Sequence, residues 1–447
     1  LSKNFYQPMS TVHKGLTITV TLDEEKIPYV NGLLFEYRKD LSIYQEKYHK
    51  SLPSTFFISW LTLPAQTYAG KEKLPARIIL MSSYVGSKSR HLQELATFLG
   101  PQIKQVFSQS PEYPKNDLDK PGLVYFLKRK SIPNTFYSGF KFISTTEVDK
   151  EKKLKAEVWK YAQGLADQGD PSSPKEVKEN IETFVKNHPQ LVWASKKIPY
   201  ALSNRVQMLW PLSLFGLLML TSLVSIVLCF FIDALVLKIL ACILPLFILV
   251  VVFLFLLLRL NENIPHEPSP ELSDEKVREI VAQETNPVIN EMTVIAPLKR
   301  GWIRRVFLAL TLKLVGLVSY FAYIPTVHTA RWLQMDKGKR LVFIANFDNL
   351  SEAYAHDFVD SERRSMNMAV IFSHAFGFPA TRWLVHKQYN HRSNYMKGVR
   401  AHQKVTQFWY TCQQDLSVEN LKRNRAFRAG LYKEMDDPEI KDWLLTL

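Results

Sequence analysis

The sequence predicts an α+β fold interrupted by a membrane hairpin, on three observations. Residues 206–258 are almost unbroken hydrocarbon, with Asp233 and Lys238 as the only charges. The flanks on either side read as charged, water-compatible protein of about 200 and 190 residues, each long enough to bury a core of its own. The two flanks also repeat one another in the order and length of their patterns, and an internal repeat outranks any residue-by-residue reading of fold.

The apolar segment comes first. Residues 206–232 are uncharged and long enough to cross a hydrocarbon core of roughly 30 Å, which takes about 20 residues of helix. Residues 239–258 are just long enough to return. The natural reading is a two-helix hairpin turning around residues 233–238; the alternatives are one tilted span with a buried helix, or a hairpin that dips in without crossing. Pro211 and Pro245 are tolerable where helix ends or a neighbouring helix satisfy the freed carbonyls. Lys196, Lys197, Arg205 and Arg259 flank the segment and only Lys238 lies in the turn. The positive-inside rule therefore places both flanks in the cytoplasm and the turn outside.

In the first flank, GLTITVTL reads as a strand and EKIPYVNGLLFEYR as a helix. A strand TFFISWLTL, a strand ARIILMSSYVG and a helix SRHLQELATFL follow, and IKQVFSQSPEYP closes the series as a strand. The second flank runs in parallel: EMTVIAPL, a helix from residue 301 to 321, VHTARWLQM, RLVFIANFDN, SEAYAHDFVDS and MAVIFSHAFGFP. Strands are read from β-branched, alternating runs and helices from apolar recurrence at three and four. Trp60 then falls on Trp332, Tyr84 on Phe347, Phe107-Ser108 on Phe372-Ser373 and Tyr113-Pro114 on Phe378-Pro379. FLKRKSIPNTFYSG around Tyr137 likewise resembles VRAHQKVTQFWYTC around Tyr410.

The order per copy is β-α-β-β-α-β, the ferredoxin-like unit. The expected architecture is two such units with facing antiparallel sheets and helices outside. The units cover residues 1–145 and 290–447. A helical tail and linker (146–205), the transmembrane hairpin (206–260) and a second linker (261–289) lie between them. Residues 306–323 are apolar nearly all round except Lys313, and follow Trp302, Arg304 and Arg305. That composition suits a helix in the headgroup region with those three residues at the membrane, or a helix covered by sheet on one side and hairpin on the other.

A net charge of +15 fits an anionic inner leaflet, toward which each Lys or Arg near the surface contributes about 1 kcal/mol. Nucleic acid is not expected, because no recognisable binding module accompanies the charge. Cys229, Cys242 and Cys412 are the only cysteines, which excludes a disulfide framework and thiolate metal spacing. The opening Leu1-Ser2-Lys3-Asn4 has no apolar run of the kind a signal peptide needs.

HTARWLQMDKGKRLVFIANFDN, with AYAHDFVD and GFPATRWLV after it, resembles a group of bacterial membrane-associated proteins that carry an HFARW, SNYDGS, GFPxTRW run. The resemblance covers residues 328–385 well and the matching region of the first flank loosely. It departs at Thr329, where the group has an aromatic residue, and at Asn349, where it has Gly. More distantly, the duplicated plan is similar to that of dye-decolourising peroxidases and other dimeric α+β barrel proteins, which implies haem between or beside the sheets. Their GxxDG signature is absent here.

If one framework was duplicated, polar positions present in a single copy are the candidates for function. His328 stands where the first copy has Phe56, Arg331 where it has Ser59, Asp348 where it has Val85 and His374 where it has Gln109. On a regular strand His328 and Arg331 would point to opposite faces. Asp348 also suits a turn or a helix N-cap, and Asp357, Asp360, Arg363 and Arg364 suit a solvated helix face. No HExxH, GxxxxGK or GxSxG motif occurs. Two functions follow. One is a protein of the membrane surface that binds anionic lipid headgroups or an apolar small molecule. The other is a haem-dependent, peroxidase-like oxidoreductase in which His328 or His374 is the axial ligand or acid-base group, Arg331 steers peroxide or a carboxylate and Asp348 has an orienting role.

Overall fold

The computed structural model describes residues 12–68, 70–167, 173–197, 202–262, 273–282, 284–319, 324–350, 370–379, 381–383 and 392–447. It is a mixed α+β structure with antiparallel sheets and two apolar helices. In the N-terminal half come β1 (His13–Leu22), α1 (Ile27–Ser51), β2 (Thr55–Leu63), a hairpin of β3 (Gln66–Tyr68) and β4 (Glu72–Leu74), then β5 (Ala76–Val85). Helices α2 (Lys88–Phe98), α3 (Gly100–Phe107) and α4 (Lys120–Lys130) lead to the short strands β6 (Ser131–Ile132) and β7 (Thr135–Ser138). Then follow α5 (Thr145–Asp167), α6 (Pro174–Asn187), α7 (Leu202–Leu228), α8 (Leu235–Ala241), α9 (Ile243–Glu262) and α10 (Asp274–Val281). The C-terminal half holds β8 (Ile289–Pro297), α11 (Trp302–Val318), β9 (Val327–Met335), β10 (Arg340–Asp348), α12 (Arg392–His402), β11 (Gln403–Lys404), β12 (Phe408–Thr411), α13 (Val418–Gly430) and α14 (Asp437–Leu444).

Two five-stranded sheets result, ordered β12-β2-β5-β1-β6 and β11-β8-β10-β9-β7. Each half supplies a central trio, and each lends its last strand to the other's sheet. Strand β7 pairs with β9, with Phe136 opposite Arg331, and β12 pairs with β2, with Tyr410 opposite Ile58. The central strands have both faces buried, as strands covered on two sides must. One face of the first sheet packs under α1 to α4 through Leu34, Ile58, Leu80, Leu95 and Phe107. The outer face of the second packs under α11 and α12 through Leu308, Trp332, Phe343 and Val399. Between the sheets, Leu61, Leu63, Ile79 and Met81 meet Ile295, Leu333, Met335, Val342 and Ile344.

Three expectations need correction. Residues 103–114 are not a strand: Ile103, Val106 and Phe107 recur at helical spacing, all three are buried, and they form α3. In the second half, residues 370–372 are helical and Ala375 makes a single bridge to Leu298, so no strand runs there. The segment 146–205 is more than a tail. Helices α5 and α6 bury Leu154, Val158, Ile181 and Val185 against Phe427, Leu431 and Trp443 of the C-terminal end, making a helical satellite. The expected helix 351–361, with Asp357 and Asp360, and Arg363 and Arg364 just after it, lies outside the described residues.

Two stretches, Leu209–Leu228 and Leu235–Glu262, are long and apolar enough to cross a membrane, and 11% and 0% of their most apolar windows is buried. The second is α8 and α9 in series. Ser222 of α7 accepts from Leu244 N at 2.9 Å and donates to Ala241 O at 3.3 Å, satisfying backbone groups at the break between them. Helix α11 packs against the second sheet and against α9, where Leu258 meets Phe307. Its remaining side exposes Trp302, Val306, Leu310, Leu314 and Val318, one residue per helical turn.

Candidate functional site

The alternation of β9 breaks at His328. Asn346 pairs with Thr329, but the next residue, Phe347, pairs with Val327, leaving His328 as the extra residue of a bulge. Val327, Ala330 and Trp332 all lie in the cluster under α11, so the two residues between Val327 and Ala330 both turn toward the first sheet. His328, Thr329 and Arg331 therefore share a face, contrary to the regular-strand expectation. The first sheet has the same irregularity: Tyr84 pairs with Thr55 and Ser83 with Phe57, leaving Phe56 as the extra residue. Phe56 O accepts from Cys412 N and His328 O from Gly139 N, each at 2.9 Å, so the exchanged strands leave their sheets at matching points.

His328 is buried, and its Nε2 lies 2.6 Å from Asp348 Oδ1. Its ring sits edge-on to Phe57 and Phe140, both with centroids 5.8 Å away. Asp348 also accepts from Val418 N at 3.0 Å, which ties the first turn of α13 to the end of β10. This carboxylate thus joins a histidine to a helix start and is itself buried.

Arg331 spans the gap between the sheets. Its Nη1 donates to Leu16 O at 2.7 Å, and its Nη2 donates to Ser82 O at 2.9 Å and Ser83 Oγ at 2.7 Å. Its guanidinium lies 5.7 Å over the Phe136 ring. Burial lowers its pKa to about 10, and Glu291 and Tyr84 act the other way. Glu291, on the same inter-sheet face of β8, accepts from Asn346 Nδ2 at 2.9 Å and from Ser59 Oγ across the gap. Burial pushes the Glu291 carboxyl up, and its hydrogen bonds and Arg331 oppose that rise. Sequence reasoning missed Glu291, because a lone glutamate in a strand reads as solvent-facing. The signal was its phase: it alternates with Thr293 and Ile295, which face the other sheet.

His374 is not part of this group. Lys299 N donates to His374 O at 2.8 Å beyond the far end of β8, whereas Asp348 pairs with Ile289 at its near end. At about 3.3 Å per strand residue the two histidines stand on the order of 30 Å apart. Around His374 lie Lys299, whose Nζ donates to Ser373 O at 2.9 Å, and Arg304, whose Nη2 donates to Asn261 O at 3.0 Å. Burial holds the His374 imidazole down at about 3, helped by Arg304 and Lys299. Burial also lowers Lys299 to about 7, with Arg304 adding to the shift and Glu262 opposing it. Of the three residues expected at the membrane, Trp302 is 61% exposed, Arg305 donates to Lys337 O at 3.3 Å, and Arg304 is buried in the protein.

The four expected site residues thus divide into one pair, one clamp onto the opposite sheet and one distant histidine. Haem does not fit them. The inter-sheet layer is filled by aliphatic side chains from both sheets, His328 is wedged between two phenylalanines with its Nε2 on Asp348, and His374 lies among buried cations. Among the described residues no group of three His, Cys, Asp or Glu side chains has the arrangement to hold a metal ion. No protein-family model matches the chain, and neither curated proteins nor solved structures provide a match.

Proposed function

We propose that this chain is a membrane-anchored protein of the membrane surface, built from two copies of a ferredoxin-like unit clasped on the cytoplasmic side, with α7 to α9 as a transmembrane hairpin. It binds anionic lipid headgroups there and carries out no haem chemistry. The observation that carries the reading is a continuous apolar exterior: the outward sides of α7 and α9 and the Trp302 to Val318 stripe of α11 adjoin one another. A monomeric soluble protein rarely leaves so large an apolar surface in water.

Strand exchange supports the hairpin. Strand β7 precedes the apolar helices and β9 follows them, yet the two share a sheet. Flanks joined by backbone hydrogen bonds lie on one side of any bilayer, so the helices make an even number of crossings or none. The matched bulges at Phe56 and His328 support the duplication. The motif resemblance of residues 328–385 to bacterial membrane-associated proteins agrees with the location.

Alkaline carbonate extraction and single-cysteine labelling test this. In a background without Cys229, Cys242 and Cys412, Asp233→Cys should react with an impermeant maleimide from outside intact cells, and Lys196→Cys only after lysis. Extraction by carbonate, or labelling of both positions from the same side, sinks the hairpin.

A further inference from the structure

We infer that Lys299, Arg304, Ser373 and His374, gathered at the N-terminus of α11, form a binding site for a phosphate group, carried by a membrane lipid or by a free phosphate. The observation is a set of buried hydrogen-bonding atoms with nothing to bond. Nε and Nη1 of Arg304, both ring nitrogens of His374 and Oγ of Ser373 are buried without a partner. Arg304 is 3% exposed, and Ser373 and His374 are each 1% exposed. Buried polar groups in folded proteins are nearly always paired, and an unpaired one forfeits its hydration for nothing in return. Five such atoms on three residues, of which the neutral His374 ring can donate from one nitrogen at a time, mark a place where hydrogen-bond partners come from outside the chain.

The backbone adds to the same field. Helix α11 is 17 residues long, and its N-cap is Gly301 at φ 109°, which has no side chain with which to cap the first turn. An uncapped helix start favours an anion. Glu262 lies close enough to act electrostatically on Arg304 and Lys299, but its oxygens accept from Thr381 Oγ1 at 3.2 Å and Trp383 N at 2.8 Å. Guanidinium, ammonium, imidazole and hydroxyl together offer more donors than the two oxygens of a carboxylate can use, while a tetrahedral oxyanion with three or four oxygens matches them. Arg304 also bonds the last turn of α9 through Asn261 O, so the site lies where the second apolar helix meets the protein body. The site stands on these side chains alone; only a lipid as the source rests on the membrane reading.

The test uses full-length protein, delipidated in detergent and titrated calorimetrically with inorganic phosphate, and the same protein in nanodiscs of phosphatidylcholine with or without phosphatidic acid. The variants are Arg304→Gln, His374→Asn and, as an exposed cation on the same helix, Lys313→Gln, each first shown to unfold cooperatively. Saturable binding of one phosphate per chain, weakened about tenfold or more by Arg304→Gln and His374→Asn but not by Lys313→Gln, is the expected result. The same variant pattern seen only with phosphatidic acid also supports the site and makes the lipid its source. Folded wild-type protein that responds to neither probe overturns the site, as does equal binding by wild type, Arg304→Gln and His374→Asn. Carbonate extraction is read separately, so phosphate binding by an extractable protein would sink the membrane reading and keep the site.

Discussion

The gap between the sheets and the N-terminal end of α11 both bury charge, and they do so in opposite ways. Between the sheets, both outer nitrogens of Arg331 have acceptors on the opposite sheet, and Glu291 takes donors from both sheets on Oε2, with only its Oε1 left over. At α11, Arg304 has one acceptor and two idle nitrogens, and His374 has none. Buried charge that is satisfied within the chain fixes architecture: it sets how two sheets register against each other. Buried charge left unsatisfied points outward, to something the chain does not itself supply.

Four measurements break or sharpen that contrast, beginning with the largest effect. Arg331→Met leaves Glu291 without its countercharge and takes a donor from two carbonyls, and should cost about 3–5 kcal/mol in denaturant unfolding. A variant as stable as wild type would mean that the sheets do not depend on the clamp. Asp348→Asn weakens the bond to His328 and the tie to Val418, and should cost about 1–3 kcal/mol by the same measurement. Arg304→Met, in delipidated and phosphate-free protein, should change stability by less than about 1 kcal/mol, because it removes a poorly satisfied charge. If it costs as much as Arg331→Met, the two regions are alike and the contrast fails.

The smallest effect is a pH slope. Lys299 has an ordinary pKa of 10.5 and a folded one of about 7, lowered chiefly by burial with Arg304 beside it. Between those values the unfolded chain holds a proton that the folded chain has released, so this lysine makes stability rise with pH above about 7. Lys299→Met should flatten the rise relative to wild type when denaturation midpoints at pH about 7 and about 9 are compared. Saturating phosphate should flatten it too, by holding Lys299 protonated. An unchanged slope in Lys299→Met would show that the lysine is solvated after all.

Much of the frame was legible in the sequence because it is written in local periodicity. The apolar helices, the central strands β1, β2, β5, β8, β9 and β10, and the long helices α1 and α11 all follow from runs of side chains that need one environment. What was misread lacks that signal. IKQVF supports either period over so few residues, and burial of Ile103, Val106 and Phe107 decides for helix. The edge strands have two to four residues each, and nothing in Thr135–Ser138 or Phe408–Thr411 says that the partner lies in the other half. His328 and Asp348 were legible as polar residues out of place, but the bulge that turns His328 toward the first sheet was not. Lys299 was invisible for the same reason as Glu291: a charge near a strand end reads as solvated unless the tertiary structure covers it.

Strand exchange also has a consequence for the order in which the chain is made. Strand β2 is buried along its whole length, and its outer edge pairs with Phe408–Thr411, which follows the apolar segment and most of the second half. During synthesis the first sheet therefore waits, with an apolar edge open to stray pairing, while the whole apolar segment and most of the second half emerge. A strand of the second half thus closes the sheet of the first, so deleting Phe408–Thr411 would uncover an aggregation-prone edge hundreds of residues away in the sequence.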